Sequence, residues 1–469
     1  IIITNSSRTV YQWEYSYLNI LQGSTNGALI IKDVRVESSA TSSSSSSLSL
    51  KNNDKDEQKP PQSNTLLLAP FNNHGTENSP IEEVPYLLPT KEATLATAET
   101  LARSFYRLPK NHTTNTTQTI TTTTPYWCLQ KNRKRGPAKH GLLYVKVPKC
   151  ASSTLAGIVH RIAIRQKARQ SYSAATNDNN NATAVGVGMC GFRNEHIRGV
   201  KYASRNRRTS FLLGSVRDPA KRAVSRIFWL YVTQHGHAAT AGHILHHLYT
   251  TDPHYGSVSK GKGGFQIQYL AMSTIAPDSA WRNTTHEHVR QPELVHQHVR
   301  EILDAYDFVV VVERMDESLV MLQLLLGVPV GDILTLDSKV QGNYQYFPKR
   351  SFCRRIVPAF RIQAVQNFLD SPTWYAMNYG DYLLMAAANR SLDMSIDQFG
   401  RSRFEAALAE YRILKQKVSQ TCANQTVFEC SATGEVQKEK AKQNCYRNDQ
   451  GCGYPCIDNM LQEVSLSRG

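Results

Sequence analysis

LLYVKVPKCASSTL, residues Leu142–Leu155, decides how the rest of the chain is read. Leu142, Leu143, Tyr144, Val145 and Val147 are apolar or β-favouring, so they form a short buried strand. Pro148 ends its ladder because proline has no N–H to donate. Ser152, Ser153 and Thr154 are cap-forming residues that carry hydroxyls. Leu155, Ile158, Val159 and Ile162 follow at the spacing of an amphipathic helix. The stretch therefore reads as strand, tight turn with a lysine, and hydroxyl-rich helix start. Such a junction cradles anions: helix-start N–H groups and the positive end of the dipole face one point, and Lys149 adds a full charge.

Two further strand–helix junctions lie downstream. Phe211–Val216 is apolar and is followed by Arg217-Asp218-Pro219, where Asp218 is an N-cap and Pro219 takes the first helical position. Phe308–Val312 is flat and apolar, hence buried on both faces. There Asp316 is expected to cap a helix over Ser318–Leu326 that Gly327 ends. Strands followed by helices give an α/β fold with a mainly parallel sheet, and ligands bind such sheets at the carboxyl ends of the strands. Between the first two junctions, Met189–His196 reads as a polar loop. Phe404–Val418 reads as a last amphipathic helix, with Leu408, Tyr411, Leu414 and Val418 on one side.

Composition sets the boundaries. Residues 1–138 read as a disordered stem: Thr41–Leu50 is nearly all serine and Thr113–Thr124 nearly all threonine. Tyr11–Ile31 and Glu92–Phe105 are the stretches in it expected to hold local order. The run Lys131, Arg133, Lys134, Arg135 reads as a solvated linker. The globular domain is set at 139–418, and 419–469 is a cysteine-rich tail. The nine cysteines are an odd number, which leaves at least one without an intrachain partner. Five of them crowd into Cys422–Cys456, which holds no histidine and no paired CxxC, so disulfides are preferred to zinc. Sequons at Asn5, Asn111, Asn115, Asn181, Asn283, Asn389 and Asn424, with these cysteines, point to an oxidising, glycosylating lumen. No apolar run of about 18 residues is present, so the expected membrane tether is a signal anchor upstream of Ile1. The formal net charge of +16 favours anionic partners without choosing among them. Nucleic acid is set aside because no recognition module accompanies the charge.

Two tempting motifs carry little. Gly256–Gly263, GSVSKGKG, nearly matches a Walker A loop, but Gly263 stands where the magnesium-binding hydroxyl belongs and no strand precedes it. The histidines from His235 to His254 and from His286 to His298 include no HExxH, and they read as a solvated face. Lys349, Arg350, Arg354 and Arg355 form a basic patch, read equally as a nucleotide or acceptor contact and as a solvated loop.

Pro148-Lys149-Cys150-Ala151-Ser152-Ser153-Thr154 and Arg217-Asp218-Pro219-Ala220-Lys221-Arg222-Ala223-Val224-Ser225 resemble the two donor motifs of sulfotransferases that use 3′-phosphoadenosine 5′-phosphosulfate (PAPS). Asp307–Leu326 is similar to a segment of the Golgi galactose-3-O-sulfotransferases and of the heparan sulfate 2-O-sulfotransferases. The resemblance covers about residues 141–415. It implies a P-loop-like three-layer sandwich and a carbohydrate O-sulfotransferase with a glycan acceptor, in the Golgi lumen, single-pass and type II. It implies that Lys149 neutralises charge as the 5′-phosphate leaves. Pro148, Cys150, Ala151, Ser152, Ser153 and Thr154 would hold the 5′-phosphosulfate together with Lys149. Arg217 and Ser225 would bind the 3′-phosphate, and no metal is needed. Cys150 departs from the threonine usual in these families; it reads as a small buried thiol, which donates poorly and puts one hydrogen bond to the donor in doubt. His196 is the expected base, with Glu195 to orient it or to serve instead. A nucleotide-dependent kinase would need a magnesium-binding acid, and a non-catalytic glycan-binding protein would show damaged donor motifs. Neither description suits this sequence.

Overall fold

The computed structural model describes residues 2–4, 10–12, 89–106, 125–128, 139–176, 191–196, 202–250, 264–274, 292–336, 342–347, 351–359, 362–441 and 451–466. The chain divides into a unit over 1–82 and a unit over 83–469. In the first, strands β1 (Ile2–Thr4) and β2 (Val10–Gln12) pair antiparallel. The second opens with helix α1 (Lys91–Leu101) and continues with β3 (Gly141–Val145), α2 (Ser152–Thr176), β4 (Phe192–Glu195), β5 (Ser210–Val216) and α3 (Pro219–Ile227). Next come α4 (Ala241–Thr250), α5 (Phe265–Thr274), α6 (Pro292–Ala305), β6 (Phe308–Val311), α7 (Met315–Leu326), and the antiparallel hairpin β7 (Tyr344–Phe347) and β8 (Phe352–Arg355). The chain closes with α8 (Gln363–Leu369), α9 (Pro372–Met377), α10 (Tyr379–Phe399), α11 (Arg401–Cys422), α12 (Lys438–Ala441) and α13 (Tyr454–Leu466).

The central sheet is all parallel, in the order β4-β3-β5-β6, and helices flank it, the α/β sandwich that was expected. Every residue of β3, β5 and β6 is buried, which a strand needs when helices cover both faces. From β3 the chain steps to β4 on one side, then crosses to β5 on the other. The sheet therefore changes direction between β3 and β5, and their carboxyl ends form the binding crevice of this topology. Leu155, Ile158, Val159 and Ile162 are buried on α2 as the spacing predicts.

Several sequence expectations need correction. The polar loop before His196 contains β4, which pairs parallel with β3 from Leu142↔Phe192 to Val145↔Glu195. FRNE is polar because β4 is an edge strand. Asp316 does not cap α7: the helix starts at Met315 after Arg314, and Asp316 sits in the first turn with Lys415 at 2.6 Å. Gly327 does end it, at φ 64°. Glu92–Phe105 holds the local order expected of it, and together with 125–128 it packs into the core instead of standing in a stem. Ala98, Leu101, Phe105 and Trp127 are buried there, and the N–H groups of Arg103 and Phe105 donate to Ser391 and Ser395 of α10. The Ser/Thr-rich sequence between them hides this, because the few large apolar residues that pack, Leu101, Phe105 and Trp127, are widely spaced.

The tail is tied to the domain as well. Disulfides join Cys353 to Cys430 and Cys422 to Cys456, and Cys128 and Cys452 are also disulfide-bonded. Arg161 is buried on α2 and pairs with Asp458 of α13. Among the described residues no helix is long and apolar enough to cross a membrane. The Walker-like stretch 256–263 and the sequons at Asn5, Asn111, Asn115, Asn181 and Asn283 lie outside the described residues.

Candidate active site

The crevice between β3 and β5 opens into a cleft of about 820 Å³. Pro148, Lys149, Ala151, Ser152, Ser153, Thr154, His196, Arg217 and Ser225 all line it. Sequence positions spread over almost eighty residues thus meet at one sheet edge, because each follows a parallel strand or lies on the helix after it.

The β3–α2 turn is held in a shape that side chains rarely adopt. Lys149 and Ala151 have φ of 66° and 52°. A left-handed conformation at a non-glycine residue costs roughly 1–3 kcal/mol unless its surroundings impose it. Here β5 imposes it. An Arg217 guanidinium N–H donates to the Lys149 carbonyl at 3.0 Å, and Ser215 Oγ donates to the Cys150 carbonyl at 3.0 Å. Left-handed residues alternating in this way form the N–H concavity that binds anions. The turn leads into the first turn of α2, whose N–H groups lack intrahelical acceptors and belong to Ser152, Ser153 and Thr154. The ammonium of Lys149 lies 4.8 Å from the ring centre of Trp229.

Asp218 and Pro219 start α3 as the sequence predicts, with Lys221 N–H donating to Asp218 Oδ1 at 2.7 Å. Two turns on, Ser225 returns to the cleft, nearly buried. Arg217 Nε is buried and has no hydrogen-bond partner among the described residues. Just after the edge strand, His196 Nδ1 lies 2.7 Å from the carbonyl oxygen of Lys146. A carbonyl only accepts, so the proton sits on Nδ1 and Nε2 is the basic nitrogen of the neutral ring. Glu195 ends β4, paired in register with Val145.

Cys150 is the small buried thiol that the sequence leads one to expect. Its side chain is fully buried, it does not line the cleft, and its thiol donates to Gln266 Oε1 at 3.2 Å. Burial pushes its pKa up to about 12, so it stays a thiol. It is the free cysteine among the described residues.

The opposite wall was not foreseen. It comes from a π-helical turn, Phe228–Gln234, and from Ile356, Val357 and Ala359 after β8. Trp229 lies one turn beyond Ser225, a spacing that puts both on one helix face; that was the available signal. Trp229 also stacks on Phe347 of β7 at 6.0 Å, and Phe347 on Phe352 of β8 at 5.6 Å. From the basic patch, Arg354 donates to the carbonyls of Thr233 and Gln234 at 2.8 and 2.6 Å, bracing the turn. The histidines of this region pack ring against ring: His247 lies 3.4 Å from Tyr231, and His237 near His235 and His243. Among the described residues no three His, Cys, Asp or Glu side chains form a group that could hold a metal ion.

A family model described as Galactose-3-O-sulfotransferase matches residues 209–454, just over half of the chain. The chain belongs to this family. It is a carbohydrate sulfotransferase, an enzyme that transfers sulfate to a sugar. The matched span starts just before β5 and so includes Arg217 and Ser225, while the Lys149 turn and His196 precede it. No curated protein matches the chain.

Proposed function

We propose that this galactose-3-O-sulfotransferase-family enzyme uses PAPS as donor, sulfates a hydroxyl of a terminal galactose on a glycan, and works in the Golgi lumen. The observation that carries the reading is the convergence of Lys149, the start of α2, Arg217 and Ser225 on one cleft, with Arg217 Nε orphaned there. Leaving a buried donor unsatisfied costs roughly 1–3 kcal/mol, a cost that an anionic ligand removes. The bonded cysteines support an oxidising compartment.

The residues present fit a doubly anionic donor. The Lys149 turn, with Pro148 and Ala151, and the first turn of α2, with Ser152, Ser153 and Thr154, would hold the 5′ end; Arg217 and Ser225 would hold the 3′-phosphate. When bound, the donor supplies an activated sulfuryl group. Lys149 places a positive charge where negative charge grows on the departing phosphate oxygen. His196 Nε2 takes the proton from the acceptor hydroxyl, while the Lys146 carbonyl holds the ring in that tautomer. Glu195, next to it in the chain, is the second candidate base. No metal enters these steps.

The test is transfer from labelled PAPS to a panel of galactose-terminated glycans. Wild type transfers label, and Lys149→Ala loses about 10²–10³-fold in kcat. Full activity in Lys149→Ala overturns the mechanism, and a wild type inactive with PAPS overturns the donor.

A further inference from the structure

Gln266 lies in the first turn of α5 and is fully buried. It does not line the cleft, yet it touches both halves of the donor site. Its Oε1 accepts from the Arg217 backbone N–H at 2.7 Å, and its Nε2 donates to the Arg217 carbonyl at 2.7 Å. One side-chain amide thus does for Arg217 what a neighbouring strand would do. The ladder between β5 and β6 ends at Val216↔Val311, and the Gln266 amide extends it by one residue. The same Oε1 accepts from the Cys150 thiol at 3.2 Å, which reaches the middle of the strained Lys149–Ala151 turn.

Gln266 is itself fixed from behind. Asp381 of α10 accepts from the N–H groups of Phe265, Gln266 and Ile267, and also from Gln266 Nε2 at 3.4 Å. The carboxylate sits so close that a Cβ on Gly264, at φ +124°, would lie 2.4 Å from Asp381 Oδ1. Asp381 thereby sets the start of α5 and the direction in which Gln266 points.

We infer that Gln266 is a positioning residue that locks the Arg217 strand end and the Lys149 turn into one spacing, the spacing at which a ligand carrying both a 5′- and a 3′-phosphate is held. This rests on the donor reading above. Gln266 touches no ligand; it acts through Arg217 and Cys150. Its loss therefore weakens recognition of the 3′-phosphate more than it slows turnover.

The experiment is calorimetric titration of the full chain with adenosine 3′,5′-bisphosphate and with adenosine 5′-monophosphate. The ratio of the two affinities measures the 3′-phosphate contribution. Wild type prefers the bisphosphate, and Arg217→Ala loses most of that preference. Gln266→Leu, similar in volume, lowers the ratio about tenfold, since two hydrogen bonds to Arg217 are lost. The KM for PAPS rises with it, while kcat falls less than about threefold. Ser391→Ala, buried on α10 and remote from the cleft, controls for lost stability and keeps the wild-type ratio. Should Gln266→Leu not fold, Cys150→Ala removes one bond of the clamp and lowers the ratio about two- to threefold. Cys150→Ser, which keeps a donor, restores it. A wild-type ratio in folded Gln266→Leu, or in Cys150→Ala, overturns the clamp. A wild type with no preference for the bisphosphate overturns the donor reading instead.

Discussion

The two walls of the cleft are built by different means. The wall carrying Lys149, Ser152 to Thr154, Arg217 and His196 stands on the ends of parallel strands, and its turn is held by the Arg217 and Ser215 side chains, which donate to the Lys149 and Cys150 carbonyls. The wall carrying Trp229, Leu230, Gln234, Ile356 and Val357 stands on a π-helical turn braced by a hairpin and a disulfide. The first is a local consequence of strand, turn and helix start. The second exists only once distant segments meet. On the donor reading proposed above, the strand-end wall would serve the donor and the braced wall the acceptor.

The largest break in this comparison comes from the strand-end wall itself. His196→Ala is expected to lower kcat about 10²–10⁴-fold, the range for a lost general base. Affinity for adenosine 3′,5′-bisphosphate stays within about twofold, because the residues assigned to its phosphates lie in the turns after β3 and β5 and on the helices that follow. Steady-state kinetics and calorimetry check both parts. A normal kcat moves the base to Glu195 or elsewhere.

The braced wall is expected to fail separately. Cys353–Cys430 closes a separation of 77 residues and holds β8, whose Arg354 caps the π turn. The double variant Cys353→Ser with Cys430→Ser loses about 2–4 kcal/mol of unfolding free energy by denaturant titration. Below its melting transition it binds the bisphosphate normally and uses acceptor less well. Equal losses in both would show that the walls are one mechanical unit.

What was legible follows the same division. The three main strands, the Asp218 cap and the α2 stripe are written in contiguous patterns, because neighbours in sequence do the work, whereas Arg217, Ser225 and His196 stood out only through the family resemblance. The edge strand β4 was missed because FRNE has no apolar face to show. Gln266 was illegible: FQIQYL gives no sign that one of its two glutamines is buried against a strand end 49 residues away. Cys150 was legible as a small buried thiol although the resemblance also set it among the donor contacts; the turn at Lys149 and Ala151 takes its side chain into the core.

Trp229 joins the walls, since its ring takes the Lys149 ammonium and stacks on Phe347. A cation–π contact is worth about 0.5–2 kcal/mol, so Trp229→Ala lowers kcat about two- to thirtyfold. Trp229→Phe keeps most of the rate, because a smaller ring still offers a face. An unchanged kcat in Trp229→Ala would mean that the strand-end wall positions Lys149 unaided.

The smallest effect concerns how the braced wall answers acid. His247 stacks on Tyr231 of the π turn, and its pKa is lowered to about 4 by burial, with His246, His237 and His243 adding positive charge when protonated. Unfolded, the same side chain titrates near 6.5. Between those values the unfolded chain binds more protons, so stability falls as pH drops through this window. His247's contribution is fully present above about pH 6.5 and lost by about pH 4. The ring is partly exposed, so the effect is a slope and not a collapse. His247→Phe keeps a ring on Tyr231 and removes the proton. Its melting temperature should fall less steeply from pH 7 to pH 4.5 than that of wild type, by scanning calorimetry, with bisphosphate affinity at pH 7 unchanged. Parallel slopes would place the acid sensitivity outside this stack. A shallower slope with altered donor affinity would tie the two walls together through Tyr231 and Trp229, which share the turn.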